Sequence, residues 1–343
     1  MKFACVAAAL SLSALSLAAL PAAAADKTPT GSVSFQHNDW ELACDNTRTC
    51  RAAGYQPESG EGAPVSMLIT RKAGPGTSVD IELLIDREDD IKGAVRLKVG
   101  KATVPGLDGG APSLDAGQVR TVLPELLKAD NATLTAAGNK QWTISLAGLN
   151  AVLLKMDEAQ GRIGTPGALV RRGGKPESSA LPPLPAPVVN AVRPPKARPG
   201  DAALAARIFP SLKLADIKEQ CNNGDGVSAK SLEVHRLTDK RVLLSLDCSM
   251  GAYNSSSLLW IANDTPPYAP VSLEANGDFD PKDASVSSAM KGRGVGDCWS
   301  NETWHFNGKD FVRSGETGDG MCRGFAGGAW SLPRYVSRVV TAP

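Results

Sequence analysis

The chain has few of the residues that usually carry chemistry. Its 343 residues include three histidines, His37, His235 and His305. They are scattered, and none has a second histidine or a cysteine at ligand spacing, so no imidazole-based metal centre is expected. A Gly-x-Ser-x-Gly elbow, a phosphate-binding loop and a dinucleotide fingerprint are all missing. The sequence therefore implies no cofactor and no metal, and it names no catalytic residue. Charge of one sign is also scarce, with 37 basic residues against 36 acidic. A formally neutral protein has no broad basic face for nucleic acid or anionic lipid. After the first 25 residues no apolar run is long enough to span a bilayer.

The first 25 residues are different. Met1-Lys2 is followed by an apolar run from Phe3 to Leu20, then Pro21 and Ala22–Ala25. A charged start, an apolar centre and a small-residue end make a secretory signal peptide, with cleavage expected after Ala25. An uncleaved anchor is the alternative, but the run is rich in Ala and Ser and only weakly hydrophobic. Cys5 lies at the wrong end of the segment to be lipidated. Removing the leader takes away Lys2 and leaves 36 basic against 36 acidic residues.

Removing the leader also leaves an even set of cysteines: Cys44, Cys50, Cys221, Cys248, Cys298 and Cys322. In an exported chain these read as three disulfides. Proximity along the chain favours Cys44–Cys50, Cys221–Cys248 and Cys298–Cys322. A metal site is the alternative, but no pair has C-x-x-C spacing and no histidine accompanies them. The expected location is periplasmic or secreted, with no stable membrane span after cleavage.

Length alone argues for two domains. The clearest boundary is Pro176–Pro199, PESSALPPLPAPVVNAVRPPKARP, whose eight prolines forbid a packed helix or a central strand. It reads as an extended spacer between domains at 31–172 and 200–343. A ligand for a proline-binding groove is the other reading.

In the first domain, Trp40–Cys44 suits a strand, Asp45–Arg48 a turn, and Cys50 starts the return. Val65–Arg71 and Ala94–Val99 are strand candidates. Val79, Ile81, Leu83 and Ile85 recur with period two. A helix starts at Ser113–Asp115, with Val119, Val122, Leu123, Leu126 and Leu127 on one side and Pro124 placed to bend it. Gln141–Leu146 is a strand and Ala147–Arg162 an amphipathic helix. Trp40–Cys44 with Cys50, and Ile144–Leu149 leading into that helix, resemble the invasion-associated locus B family of secreted bacterial proteins.

The second domain opens with a helix over Asp201–Phe209, Asp201 being its N-cap. A shorter helix follows near Leu214–Gln220. Leu232–Leu237 and Arg241–Cys248 form a hairpin that would bring Cys248 to Cys221. Ser257–Ala262 and Ala269–Glu274 are strands, and Trp330–Val340 closes the domain. The whole is α+β: two mainly antiparallel β domains with a few packed helices, stapled by disulfides.

The densest stretch in Gly, Trp and Cys is Lys291–Trp330. Asn307-Gly308 suits a two-residue type I′ turn. That turn would set Trp304 opposite Phe311 and His305 opposite Asp310. His305 beside Asp310 could be an oriented base, though a surface pair is the simpler reading. Asp86–Asp90 reads as a turn. So does Asn276–Asp283, which has Ser287 where a calcium loop needs Glu. Gly251–Asn254, Lys291–Cys298, Trp304 to Gly308 and Cys322–Gly324 together resemble the family called domain of unknown function 1176. That resemblance spans nearly the whole mature chain and carries no activity to transfer. Trp299 stands where the family pattern has a glycine.

Twelve of seventeen aromatics lie after residue 200. Arg293, Asp297, Trp299, Trp304 and Phe311 are the candidate ligand-binding residues, a polar clamp beside an aromatic platform. A salt bridge in a loop and an aromatic core explain the same residues without a ligand. The expectation is an exported envelope protein that binds a partner (a protein, a glycan or an envelope fragment) rather than turning it over, with a purely structural or assembly role as a further option. A hydrolase with a dispersed site is the rival.

Overall fold

The computed structural model describes residues 31–58, 63–86, 91, 93–222 and 226–341. The leader and most of the Asp86–Asp90 turn lie outside the described residues.

Four antiparallel sheets and a few short helices make the α+β fold. The first sheet is a meander of Val33–His37, Trp40–Cys44, Cys50–Tyr55, Val65–Arg71 and Val79–Ile85, in chain order. The second places Ala102–Asp108, Ala94–Val99, Asn131–Thr135 and Gln141–Ser145 side by side. Helices Ala116–Leu126 and Leu149–Ala159 pack with both sheets around one core containing Trp40, Met67, Ile69, Leu97, Leu134 and Met156. Asp115 caps the first helix through a capping box, and Pro124 sits in its last turn, where the helix ends anyway. Trp40 Nε1 donates to the Ser145 carbonyl at 2.8 Å and ties the two sheets together. Its ring lies over Gly54, where an added Cβ would come within 2.0 Å of the indole, so only glycine fits opposite it.

The third sheet orders Leu232–Arg236, Arg241–Met250, Ser255–Asn263 and the two-residue strand Val271–Ser272. The fourth orders Asp278–Asp280, Ser285–Lys291, Trp299–Phe306, Phe311–Gly318 and Leu332–Val336. Alternation along Arg241–Met250 serves two cores. Val242, Leu244 and Leu246 meet the helices Leu204–Ile208 and Leu214–Gln220, while Leu243 meets Val286, Trp304 and Phe306 of the fourth sheet.

Four expectations need correction. The hairpin loop is the four residues 307–310, so Phe306 faces Phe311, His305 faces Val312 and Trp304 faces Arg313. The amides of Lys309 and Asp310 both donate to Asn307 Oδ1 at 2.9 Å. This side-chain turn competes with the tighter backbone turn. Asp201 is not an N-cap. It lies in a 3₁₀ turn and pairs with the Arg236 guanidinium, and the α-helix is only Leu204–Ile208. Most of Ala269–Glu274 is irregular, with only Val271–Ser272 paired. The second helix of the first half is Leu149–Ala159, shorter than Ala147–Arg162.

The disulfides are Cys44–Cys50, Cys221–Cys248 and Cys298–Cys322. The Pro-rich stretch is hydrogen-bonded along much of its length. Leu181 N donates to Gln160 O, and its own carbonyl accepts from Gly74 N, both at 2.9 Å. Leu184 N donates to Thr47 O at 3.2 Å. Val188–Ala191 then pairs parallel with Arg338–Thr341, and Val192 N donates to Phe306 O at 2.9 Å. The segment is a strap across both halves. Upstream, fully buried Arg162 contacts Glu177 at 3.2 Å and the Gly74 carbonyl at 2.5 Å.

Among the described residues no helix is long and apolar enough to cross a membrane.

Candidate functional site

The loop after Ser285–Lys291 is shaped by the Cys298–Cys322 bridge. Gly292 lies against it, and an added Cβ would sit 2.6 Å from Cys298 Sγ. Asn254 holds the loop's start from the side, donating to Lys291 O at 3.0 Å and accepting from Lys291 N at 2.8 Å. Asp297 turns inward. Its carboxylate accepts from Arg293 Nε at 2.7 Å and from Gly324 N at 2.6 Å, and it pairs with Arg293 Nη2. Hydrogen bonding from the guanidinium holds its carboxyl below the usual aspartate range. Asp297 is buried, whereas the Arg293 side chain is 51% exposed. Trp299 begins the next strand, gives its Nε1 proton to Gly296 O at 3.0 Å, and carries Lys291 Nζ 5.1 Å above its ring.

The fourth sheet and the loop from Asp319 to Trp330 dock on the outer face of the first sheet. Ala43, Ala53, Tyr55 and Leu68 pack there with Phe325 and Leu332. Polar contacts frame the contact. Trp330 Nε1 donates to Ser66 Oγ at 2.7 Å, Val336 N to Asn46 Oδ1 at 2.7 Å, and Arg323 Nη2 to Asp39 Oδ1 at 3.0 Å.

At one end this junction opens into a cleft of about 560 Å³, continued by a second hollow of about 270 Å³. Glu41 from the first sheet faces Lys291, Arg293, Trp299, Arg323 and Arg334 across it. Glu41 is half-buried and accepts from the Tyr55 hydroxyl at 2.8 Å. Desolvation raises its carboxyl above the ordinary glutamate range, and Tyr55, fully buried, is pushed well above the usual phenol value by the same cause.

The structure divides the five residues singled out in sequence. Arg293 and Trp299 line the cleft, and Asp297 lies beneath it as the partner of Arg293. Trp304 and Phe311 line a separate groove of about 790 Å³, walled on its other side by Leu184, Pro185 and Pro187 of the strap. Trp304 is 6% exposed, belongs to the core between the third and fourth sheets, and has the Arg313 guanidinium 6.0 Å above its ring. Phe311 packs on Phe306 at 5.5 Å. His305 is not beside Asp310. Its Nδ1 is 2.7 Å from Ser314 Oγ, and burial lowers its pKa.

Asp297, Cys298 and Cys322 bring three metal-capable atoms together. The two sulfurs are joined to each other, and the carboxylate is already held by Arg293, so these residues do not fit a metal. Glu41, Tyr55 and Arg334 escaped sequence reasoning. Glu41 lies within the recognisable strand Trp40–Cys44, but its importance comes from residues nearly 300 positions later that cover it.

The model of the family described as "Protein of unknown function (DUF1176)" matches residues 34–337. Uncharacterized protein YpfG of Escherichia coli (strain K12) is 30% identical over 307 residues, covering 80% of this chain and 84% of that protein. The crystal structure of invasion associated protein b from Bartonella henselae aligns with 38% of this chain and 99% of its own, at 16% identity and a TM-score of 0.28. A superposition that low establishes no common fold.

Proposed function

This chain belongs to the DUF1176 family of proteins of unknown function, and we propose from its own surface that it is an exported envelope protein that binds a glycan without turning it over. Export is supported by three disulfides, which persist in oxidising compartments, and by the signal-like Met1–Ala25. A periplasmic location fits both. In the same reading, two domains at 31–172 and 200–343 are held by the strap at 176–199.

The observation that carries the binding reading is the cleft at the junction of the first and fourth sheets. It has a volume in the range of small-molecule sites and a partly buried tryptophan ring among convergent charged groups. The proposed contact residues are Arg293 and Trp299 with Glu41 and Arg334. Asp297 holds Arg293 in place. Trp304 and Phe311 serve the core between the sheets and the neighbouring strap groove.

One observation favours the hydrolase alternative. Glu41 is a carboxyl in a cleft with a raised pKa, as a general acid requires. A thermal-shift screen of the oxidised mature protein against oligosaccharides and peptidoglycan fragments separates the readings. A ligand at a hundred times its Kd stabilises by about 2.7 kcal/mol, or a few degrees. The binding reading expects a shift that Trp299→Ala removes, with the ligand recovered intact. Ligand cleavage abolished by Glu41→Gln establishes the hydrolase instead.

A further inference from the structure

Four basic residues, Lys291, Arg293, Arg323 and Arg334, line the cleft against two acidic ones, Glu41 and Glu58. Two of the four are already committed. Arg293 is paired with Asp297, and Arg323 is held by Asp39 at 3.0 Å and by the Gln56 carbonyl at 3.3 Å.

Arg334 is different. Its Nε is buried with no hydrogen-bond acceptor among the described residues. The carboxylate paired with it, Glu316, is 4.0 Å away and already accepts from Arg313 at 2.8 Å. The side chain is 41% exposed and borders both the cleft and its extension. The backbone also sets Arg334 apart. Pro333 pairs with Thr317 and Tyr335 with Glu316, leaving Arg334 as the extra residue of a bulge. A bulge re-aims a side chain at the expense of ladder hydrogen bonds, and such features cluster beside sites.

We propose that the ligand is anionic and that Arg334 anchors it, its planar fork taking a carboxylate or phosphate on two parallel N–H bonds. The ring that carries the anion lies against Trp299, with Lys291 adding charge from above the indole. The ligand class is therefore a sugar acid or a sugar phosphate. This inference rests on the binding reading and narrows it.

Calorimetric titration of the full oxidised mature protein tests it. The probes are a uronic-acid tetrasaccharide, a neutral tetrasaccharide of the same ring stereochemistry and a hexose phosphate. At least one acidic probe is expected to bind ten times or more tighter than the neutral one, with affinity that falls as salt rises. The tighter acidic probe identifies the anion as carboxylate or phosphate. Arg334→Gln is expected to erase the preference and leave the unliganded thermal midpoint unchanged or higher. Arg334→Lys, which keeps the charge and loses the fork, should recover only part of it. Trp299→Ala should weaken acidic and neutral probes alike. Equal binding of acidic and neutral probes, or a preference that survives Arg334→Gln, overturns the anionic assignment while the binding reading stands. Failure of every probe to bind overturns both.

Discussion

The amide of Met321 donates to the phenol oxygen of Tyr55 at 3.1 Å, while the same oxygen gives its proton to Glu41 at 2.8 Å. One hydroxyl thus connects the first sheet to a loop 266 residues later in the chain. Tyr55→Phe keeps the ring and removes both bonds. It should cost about 1–3 kcal/mol, because Glu41 and the Met321 amide both lose the phenol in a covered site and keep only each other. Thermal unfolding of the purified variant reads the loss as a drop of several degrees.

Glu41 should leave a signature in the pH dependence of stability. Burial raises its folded pKa above the unfolded value, so folding takes up a proton between the two. Its contribution is most favourable below the unfolded value, near the ordinary 4.5, and is lost as pH rises toward the folded value. Wild type should therefore lose stability relative to Glu41→Gln as pH climbs from about 4 to 7. Buried carboxylates with lowered values, such as Asp297, act in the opposite sense, so the difference between the two proteins is the quantity to follow. A difference that is flat across that range would show that Glu41 titrates normally.

Arg293 and Asp297 form one ion pair but should not be equal in cost. Arg293→Ala removes a half-exposed side chain and leaves Asp297 its bond from Gly324, so a loss of about 1 kcal/mol or less is expected. Asp297→Ala empties the buried side and strands the Gly324 amide, at about 1–3 kcal/mol. The lowered pKa of Asp297 means that its contribution is present above the unfolded value and fades as pH falls below it. Urea melts of the two variants at neutral pH give the ranking, and the reverse order would contradict this account.

The strap should be protected from proteases in the native protein despite its proline-rich, polar sequence, because its amides and carbonyls are bonded to both halves. Arg162→Met breaks the clamp at its start: the carbonyls of Lys72 and Gly74 keep only the Thr77 hydroxyl, and the Glu177 carboxylate keeps the Gly167 and Gly76 amides. The expected cost is about 3–5 kcal/mol, with new cleavage appearing between 176 and 199 in limited proteolysis.

Loop length should rank the disulfides. Cys221–Cys248 closes 27 residues and Cys44–Cys50 only 6. Replacing the first pair with alanines should cost about 2–4 kcal/mol and the second pair less. Chemical denaturation of the two double variants compares them directly.

Much of this fold was legible where local chemistry decides. Val65–Arg71 and Ala94–Val99 run as strands between the expected residues, because alternation and β-branched side chains act locally. The cysteine pairings follow chain proximity. The misreadings share one cause. Asn307-Gly308 favours a tight turn by itself, but the Asn307 side chain captures two amides and the Phe306–Phe311 contact sets the register. Asp201 has the composition of a cap, yet Arg236 on a distant strand claims it.

The cleft was legible only in part for the same reason. Arg293 and Trp299 stood out among glycines and a cystine. Arg334 sits in an ordinary-looking strand, and only the pairing register shows it to be the extra residue of a bulge. Glu41 alternates like any solvent-facing residue of an edge-proximal strand, and no local pattern says that a distant loop will bury it.

The outer face of the first sheet is covered by Met321, Phe325, Trp330 and Leu332. A ribosome makes that sheet early and its cover almost last. Until residues near 332 emerge, Ala53, Tyr55 and Leu68 have no partner on that side, so the nascent first half carries a sticky face through most of its synthesis. Truncations that stop short of the cover should therefore aggregate or be degraded more readily than the full chain, because they leave that face bare.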